Sequence, residues 1–213
     1  MNKCPLCFSS SNVVFHRDSR RHYRRCFNCW LVFVPETFHL SHADERAEYD
    51  KHENDPLDAG YVNFLSRLVT PLQAHLQEGA RGLDFGCGPG PAVGSMMRTS
   101  GFNVKNYDPI YANNPLFLNE QFDFVIATEV IEHFRHPALS LAQVWQCVKP
   151  GGHFAAMSKL VMSQQAFANW HYKNDPTHIA FFSRETLQWV ASRWHATLVF
   201  LAADAFVFIK GSY

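Results

Sequence analysis

Apolar residues in the second half of the chain occur in short runs that alternate with amphipathic segments, a pattern typical of an α/β domain. Residues 83–85 and 122–127 are nearly continuous apolar runs, as expected for strands buried on both faces. Between residues 61 and 76, apolar positions instead recur every three or four residues, which predicts a helix with one face on the body. Further strands and helices are predicted at 30–34, 153–157, 91–100 and 138–148.

Length and composition limit the class of protein. The chain has 213 residues, 47% of them hydrophobic, which is enough for one α/β domain and a small additional unit. No run of 18 apolar residues occurs and the N-terminus leads into no apolar signal sequence, so we expect a cytoplasmic protein without membrane contact. The net charge of zero hides an asymmetry, because residues 1–35 carry six basic residues and one acid, a net +5, and the remainder carries −5.

Four of the six cysteines form two C-x-x-C pairs, Cys4 with Cys7 and Cys26 with Cys29, separated by 18 residues. This spacing is typical of a four-cysteine zinc site. We therefore predict a zinc ribbon whose bound metal supplies the folding energy that so small a unit lacks. A redox role is disfavoured, since neither pair lies in a thioredoxin-like context.

Basic and aromatic residues alternate within the predicted ribbon, for example around His22, Tyr23 and Trp30. One interpretation is contact with RNA. The other is structural, because arginines can offset the negative charge of four zinc-bound thiolates or dock on the acidic body. Both interpretations stay open.

A glycine-rich loop, residues 86–90 (G-C-G-P-G), follows the strand at 83–85. Glycine allows a sharp turn and lets a ligand lie against bare backbone, while the amides of the next helix can face an anionic group. The dinucleotide fingerprint G-x-G-x-x-G would need glycine where the chain has Pro91, which disfavours NAD.

The sequence D-F-G-C-G-P-G resembles the first motif of class I S-adenosylmethionine (SAM)-dependent methyltransferases of the methyltransferase-11/23 type, and the likeness extends through most of residues 80–200. It implies a Rossmann-like α/β sheet that ends in an antiparallel hairpin, here 197–200 with 206–209. It also implies that the loop binds SAM and that Asp108, 22 residues after Gly86, takes the ribose hydroxyls. The predicted cofactor-binding residues are Asp84, Gly86, Cys87, Gly88, Gly90, Asp108, Thr128 and Glu129.

The predicted organisation has three parts: a zinc ribbon at 1–34, a connector with lid helices at 35–78, and a SAM-dependent methyltransferase domain at 79–213. The resemblance implies that Tyr49, His52, Asn54 and Tyr61 of the connector face the site. Only 13 residues separate Asp108 from Phe122, so the second helix and third strand usual in the family are compressed, and residues 114–118 are predicted as a remnant of that strand.

Glu129, Glu132 and His133 follow the strand at 122–127 at positions i, i+3 and i+4. On one helical turn all three would project from the same face. Two carboxylates and an imidazole suit a divalent ion, Mg²⁺ or Mn²⁺ first, with Fe²⁺, Co²⁺ or Zn²⁺ as alternatives.

The run E-V-I-E-H also resembles two metal-dependent branches of the family: the ubiquinone-pathway O-methyltransferases, and the enzymes that modify the 3′-terminal 2′-hydroxyl of small RNAs. The RNA branch implies a further histidine ligand, for which His178 is the counterpart. Many methyltransferases carry a similar turn and bind no metal, so a structural role stays open.

We therefore expect transfer of a methyl group to a hydroxyl of a small molecule or of RNA, with Glu132, His133 and His178 as catalytic residues. Aromatic and cationic side chains at 170–173 are predicted to hold the acceptor; they are Trp170, His171, Tyr172 and Lys173. The alternative is a zinc-ribbon binding module whose SAM-binding body is regulatory or non-catalytic.

Overall fold

The computed structural model describes residues 3–51 and 55–212. The strands are β1 (Asn12–Arg17), β2 (His22–Cys26), β3 (Val32–Phe33), β4 (Arg81–Phe85), β5 (Asn103–Tyr107), β6 (Phe122–Thr128), β7 (Val148–Met157), β8 (Ala180–Phe181), β9 (Thr197–Phe200) and β10 (Ala205–Ile209). The helices are α1 (His42–Tyr49), α2 (Ala59–Gln73), α3 (Ala92–Thr99), α4 (Pro137–Gln146), α5 (Gln164–Ala168) and α6 (Arg184–Trp194). Across 3–51 and 55–212, no helix has the length and apolarity to cross a membrane.

A six-stranded sheet in the order β5-β4-β6-β7-β10-β9 forms the body. Its first four strands are parallel, whereas β10 runs antiparallel between β7 and β9. The predicted fold class, a Rossmann-like sheet with a C-terminal antiparallel hairpin, is confirmed.

The central strand β6 is buried on both faces, which explains its nearly continuous apolar sequence. Phe124 and Ile126 pack in one core with residues of α2 and α3. Val125 and Ala127 point to the other face and pack with residues of α4 and α6. The two cores together hold the C-terminal ends of the strands in register.

Helix α2 follows the predicted apolar stripe. Asp58 caps its N-terminus, since Oδ1 accepts a hydrogen bond of 2.6 Å from the amide of Tyr61. One face of the helix is buried through Leu65, Leu68, Val69 and Leu72. The helix thereby fixes the connector on the α3 side of the sheet.

Two local predictions were wrong. Residues 115–119 form a 3₁₀ helix rather than a remnant of a strand, because Asn114 caps the turn through a 3.3 Å hydrogen bond from the amide of Leu116 and Pro115 lacks an amide to donate to a sheet. The strand predicted from residue 153 begins five residues earlier, because β7 starts at Val148, and its pairing with β6 shifts register between Phe122 and Phe124.

The N-terminal strands form a second sheet in the order β1-β2-β3-β8. Its fourth strand comes from the body, with Val32 paired to Phe181 and Phe33 to Ala180. This pairing joins the cysteine-containing segment to the chain immediately after His178.

Candidate cofactor and metal site

A cavity of about 730 Å³ lies at the C-terminal ends of β4, β5 and β6, the edge where open α/β sheets bind ligands. Its walls come from the glycine loop after β4, from the ends of β5 and β6, from α1 and from the segment before β8. Most of the predicted site residues line it: Asp84, Gly86, Cys87, Gly88, Gly90, Asp108, Thr128, Glu129, His133 and His178.

The glycine loop is held in a conformation that favours glycine. Gly86 and Gly88 have φ of +77° and +64°, in the left-handed region that other residues rarely occupy. The amide of Gly86 donates a 2.7 Å hydrogen bond to the carbonyl of Tyr107, and a Cβ at position 86 would lie 2.6 Å from Cγ2 of Val130. The loop is therefore packed closely between β5 and the turn after β6.

Hydrogen bonds to the side chain of Asp108 connect this loop to the end of β5. Its Oδ2 accepts a 3.0 Å hydrogen bond from the amide of Gly88, and its Oδ1 accepts from the amides of Ile110 and Tyr111 at 2.8 and 3.0 Å. Because each carboxylate oxygen can accept more than one hydrogen bond, Asp108 can hold the loop and also accept from hydroxyl groups in the cavity.

Asp84, at the base of the cavity, is almost fully buried. Burial raises the pKa of its carboxyl to about 7; the hydrogen bond from the Gly94 amide and the charge of Arg98 act in the opposite direction, and Asp108 adds to the increase. The hydrogen bond from Gly94 is 3.1 Å long and connects the carboxyl to the first turn of α3.

The turn after β6 does not form the predicted helix. Glu129 has a φ of +54°, and only Ile131–His133 are helical, in a 3₁₀ turn. Glu129 therefore lines the cavity, whereas Glu132 lies behind the wall with 0% of its surface exposed. Burial also raises the pKa of both carboxyls, that of Glu129 to about 7 and that of Glu132 to about 8.

Glu132, His133 and His178 converge at this wall, with one possible ligand atom from each lying within 4.8 Å of the others. Glu129, predicted as a fourth ligand, is not part of this cluster, because the left-handed residue and the 3₁₀ turn remove the i, i+3, i+4 relation of an α-helix. The cluster offers two imidazoles and one carboxylate, a donor set that suits a divalent transition metal.

Backbone carbonyls orient both imidazoles. Nδ1 of His133 lies 3.2 Å from the carbonyl of Thr177, and Nδ1 of His178 lies 2.7 Å from that of Tyr172. Since a carbonyl only accepts, each Nδ1 carries the proton, and in a neutral ring Nε2 is then the unprotonated nitrogen and the candidate metal ligand.

The carboxylate of Glu132 is oriented by a neighbouring buried side chain. The hydroxyl of Tyr172 donates a hydrogen bond to its Oε1. Within the described residues its Oε2 is buried and has no hydrogen-bond partner. A bound cation would satisfy this oxygen, which otherwise carries a desolvation cost.

The four residues predicted to hold the acceptor are not among the described side chains that line the cavity. Their short 3₁₀ helix, His171–Asn174, packs against the N-terminal sheet instead. Lys173 Nζ lies 3.2 Å from Oδ2 of Asp18, and Trp170 packs on Tyr172 with ring centroids 5.0 Å apart. His171 contacts Lys159. Tyr172 and Lys173 are buried by these contacts.

Sequence reasoning missed the polar network that pins α1 over the cavity. Oε2 of Glu45 accepts a 2.7 Å hydrogen bond from Nη2 of Arg135, and Oε1 accepts one of 3.0 Å from the hydroxyl of Tyr49. The ring of Tyr49 in turn meets that of His133 edge-on at 5.3 Å. Glu45 and Arg135 are 90 residues apart in the sequence, so no local sequence pattern indicates their contact.

Of the other residues predicted to face the site, Tyr61 lines the cavity, and His52 and Asn54 lie outside the described residues. Asp175 also lines the cavity and was not predicted. Its Oδ2 lies 3.7 Å from Nε2 of His178, which adds a carboxylate beside the candidate metal ligands.

The four N-terminal cysteines meet in one cluster, with all Sγ atoms within 4.8 Å of one another. Cys4 and Cys29 are 3.5 Å apart, and Cys7 and Cys26 are 3.4 Å apart. A tetrahedral zinc ion with Zn–S bonds of about 2.3 Å needs sulfur separations of about 3.8 Å. A small expansion of the cluster would therefore accommodate the ion.

Comparison with known proteins agrees with this geometry. A family model described as a methyltransferase domain matches residues 57–197. No curated protein matches the chain.

Three solved structures illustrate the structural likeness, and at their low identities it concerns the fold alone. The calicheamicin-biosynthesis methyltransferase CalO1, in its SAH-bound form, shares 11% identity over 71% of this chain and 55% of its own, with a TM-score of 0.52. A protein from Bacillus halodurans shares 18% over 62% and 65%, with a TM-score of 0.50. A SAM-dependent methyltransferase from Thermotoga maritima shares 16% over 69% and 89%, with a TM-score of 0.45.

The family match covers more than half of the chain, the sheet has the expected order, and the glycine loop opens onto the cavity. The chain belongs to the class I SAM-dependent methyltransferase family and carries an N-terminal four-cysteine cluster of the zinc-ribbon type.

Proposed function

We propose that this protein transfers the methyl group of SAM to a hydroxyl oxygen of a small-molecule acceptor, with a divalent cation held by Glu132, His133 and His178. The observation that carries the proposal is the position of this cluster: His133 and His178 line the same cavity as the glycine loop.

The residues around the loop fit SAM. The backbone of Gly86 and Gly88, in the left-handed region, forms part of the cavity wall, and Asp84 and Asp108 place two carboxyl groups at the same wall. SAM, when bound, supplies an electrophilic sulfonium methyl group. The contribution of the protein is to hold the acceptor oxygen in line and within about 3–3.5 Å of that methyl group.

The candidate ligands also fit a cation. Oε2 of Glu132 is buried and has no hydrogen-bond partner among residues 3–51 and 55–212. Nδ1 of each histidine donates its proton to a backbone carbonyl. A divalent ion, when bound, supplies the positive charge that lowers the pKa of an acceptor hydroxyl. Two nitrogens and one oxygen favour Mn²⁺ or another transition metal over Mg²⁺.

The shape of the cavity favours a small acceptor. Its volume of about 730 Å³ lies in the range of small-molecule sites, about 300–1,000 Å³, and SAM must occupy part of it, which leaves space for a small acceptor only. The lid helix α1 narrows it, with Glu45 and Tyr49 on the wall. A lid that excludes water protects the reacting groups from solvent.

RNA is the second candidate acceptor, because three aromatic side chains of the ribbon are exposed: Phe8 (62%), Phe27 (51%) and Trp30 (42%). Such rings can stack on unpaired bases. Several ribbon arginines are however engaged within the protein, Arg21 on body carbonyls and Arg25 over the rings of Phe15 and Trp30. This reduces the charge left for phosphate contacts and favours the small molecule.

The proposal is tested with zinc-loaded protein and isotopically labelled SAM, assayed for methyl transfer to phenols, catechols, sugars and short single-stranded RNA with and without Mn²⁺. Binding of SAM is measured in parallel by calorimetry. Transfer to a hydroxyl compound that rises with Mn²⁺ supports the proposal, and transfer to RNA alone would move the assignment to the second candidate.

Two substitutions separate chemistry from folding. Glu132→Gln and His178→Ala should lower methyl transfer at least 100-fold while the SAM dissociation constant changes less than threefold. If both quantities fall together, the residues are structural. If SAM binds and no acceptor is methylated, the protein is a SAM-binding module without this activity.

A further inference from the structure

Arg21 lies in the tight turn between β1 and β2, yet its guanidinium group is directed into the body, and only 7% of the residue is exposed. Nη2 donates hydrogen bonds to the carbonyls of Lys173 (2.5 Å) and Asp175 (2.6 Å). Nη1 donates to the carbonyl of Pro176 at 3.0 Å. A single buried side chain therefore holds three carbonyls of one loop.

The carbonyls on either side of this set orient the candidate metal ligands. The carbonyl of Tyr172 accepts from Nδ1 of His178, and the carbonyl of Thr177 accepts from Nδ1 of His133. Within the backbone from 172 to 177, the carbonyls that contact Arg21 are thus flanked by the two that contact the imidazoles.

Other ribbon contacts fix the same loop. Nε of Arg21 donates a 2.9 Å hydrogen bond to the hydroxyl of Tyr23, and that hydroxyl lies 3.2 Å from the carbonyl of Lys173. Beyond His178, the amide of Val34 donates to the carbonyl of Ile179 at 2.9 Å. The loop is therefore fixed by the ribbon on both sides of His178.

We propose that Arg21 is a positioning residue for the cation site, so that the ribbon sets the geometry with which His133 and His178 bind the ion. This inference rests on the cation of the proposed function. Charge-assisted hydrogen bonds from a buried guanidinium are strong, and loss of groups that orient metal ligands typically costs about 10–100-fold in metal affinity.

The test is titration of Mn²⁺ into the zinc-loaded 213-residue protein, followed by electron paramagnetic resonance. Arg21→Met should weaken Mn²⁺ binding about 10–100-fold with one zinc retained per chain and an unchanged SAM dissociation constant. Arg21→Lys should lie between wild type and Arg21→Met, because an ammonium group keeps the charge and loses the planar fork. If Arg21→Met does not fold, Arg21→Lys decides.

The matched control is Gln164→Ala, which removes another contact between ribbon and body, from Nε2 of Gln164 to the carbonyl of Phe15 at 2.5 Å, and leaves the 172–177 loop untouched. It should bind Mn²⁺ like wild type. If the folded Arg21 variants bind Mn²⁺ with wild-type affinity, or if Gln164→Ala loses as much Mn²⁺ affinity as they do, this inference is overturned. The proposed function is not affected by either result. If the wild-type protein binds no Mn²⁺, or if Glu132→Gln does not lower its Mn²⁺ affinity, the cation of the proposed function is overturned, and this inference is overturned with it.

Discussion

Tyr172 connects two candidate metal ligands through different atoms of one residue: its hydroxyl donates to Oε1 of Glu132, and its carbonyl accepts from Nδ1 of His178 at 2.7 Å. The two ligands come from elements 46 residues apart in the sequence. Tyr172 is buried, so it orients the ligands from behind the cavity wall.

Tyr172→Phe should weaken Mn²⁺ binding about 10–100-fold, because the ring and the carbonyl to His178 remain while Glu132 loses the hydroxyl that holds it. Electron paramagnetic resonance titration measures the change, and calorimetry should show unchanged SAM binding. Tyr49→Phe is the control: it removes a hydroxyl bonded to Glu45 near the same histidines. Equal Mn²⁺ affinity in both variants and wild type would show that the Tyr172 hydroxyl has no role in metal binding.

The sheet could be predicted from the sequence because strands such as β6 must be apolar on both faces, and because the glycine loop marks the end of β4. The direction in which the Glu129 side chain points could not be predicted from the sequence. Its position depends on a left-handed backbone at a residue other than glycine, which no residue pattern signals.

The residues predicted to hold the acceptor, 170–173, do not line the cavity, and the sequence could not show this for a different reason. Aromatic and cationic side chains suit both a ligand and a packed interface, and only the three-dimensional structure shows that Lys173 meets Asp18, 155 residues earlier in the chain. The contacts of Arg21 with the same loop span 152 to 155 residues and were inaccessible to local pattern for the same reason.

Gly86→Ala should destabilise the protein and weaken SAM binding. An alanine there must adopt the left-handed φ of +77° and place Cβ 2.6 Å from Val130. Gly79→Ala is a matched control, because its φ is +73° and no atom of the described part of the chain lies within 4 Å of the added Cβ. The control should lose about 1–2 kcal/mol, the cost of the backbone alone.

Chemical denaturation of both variants measures the difference. We expect Gly86→Ala to lose at least about 1 kcal/mol more than Gly79→Ala, since overpacking a tight contact typically costs about 1–3 kcal/mol. Calorimetry should show reduced SAM affinity for Gly86→Ala only. Equal losses of stability would mean that Val130 moves aside without cost.

The zinc assignment predicts one zinc ion per chain and its loss on substitution of a ribbon cysteine. Cys7→Ala should abolish stoichiometric zinc and lower the melting temperature, because metal binding supplies much of the folding free energy of such units. Cys147→Ala is the control, since Cys147 is a buried free cysteine that lies outside the four-cysteine cluster. Elemental analysis after gel filtration measures the metal. Zinc at full stoichiometry in Cys7→Ala would contradict the assignment.

The buried carboxyl of Asp84 should make stability depend on pH. Burial raises its pKa in the folded protein from an ordinary value of 3.8 to about 7, so between these values the folded state binds the proton more tightly than the unfolded state. Stability from this group is fully present below about pH 4, falls as the pH rises to about 7, and stays constant above. The full shift corresponds to up to about 4 kcal/mol.

Asp84→Asn removes the titration while keeping an oxygen that can accept from the amide of Gly94. The difference in unfolding free energy, variant minus wild type, should therefore increase from pH 5 to 7 and level off by pH 8. Urea denaturation of ligand-free, zinc-loaded proteins at each pH measures it, and other titrating groups cancel because both proteins share them. A difference that stays flat from pH 5 to 8 would show that burial does not raise the pKa of this carboxyl above its ordinary value.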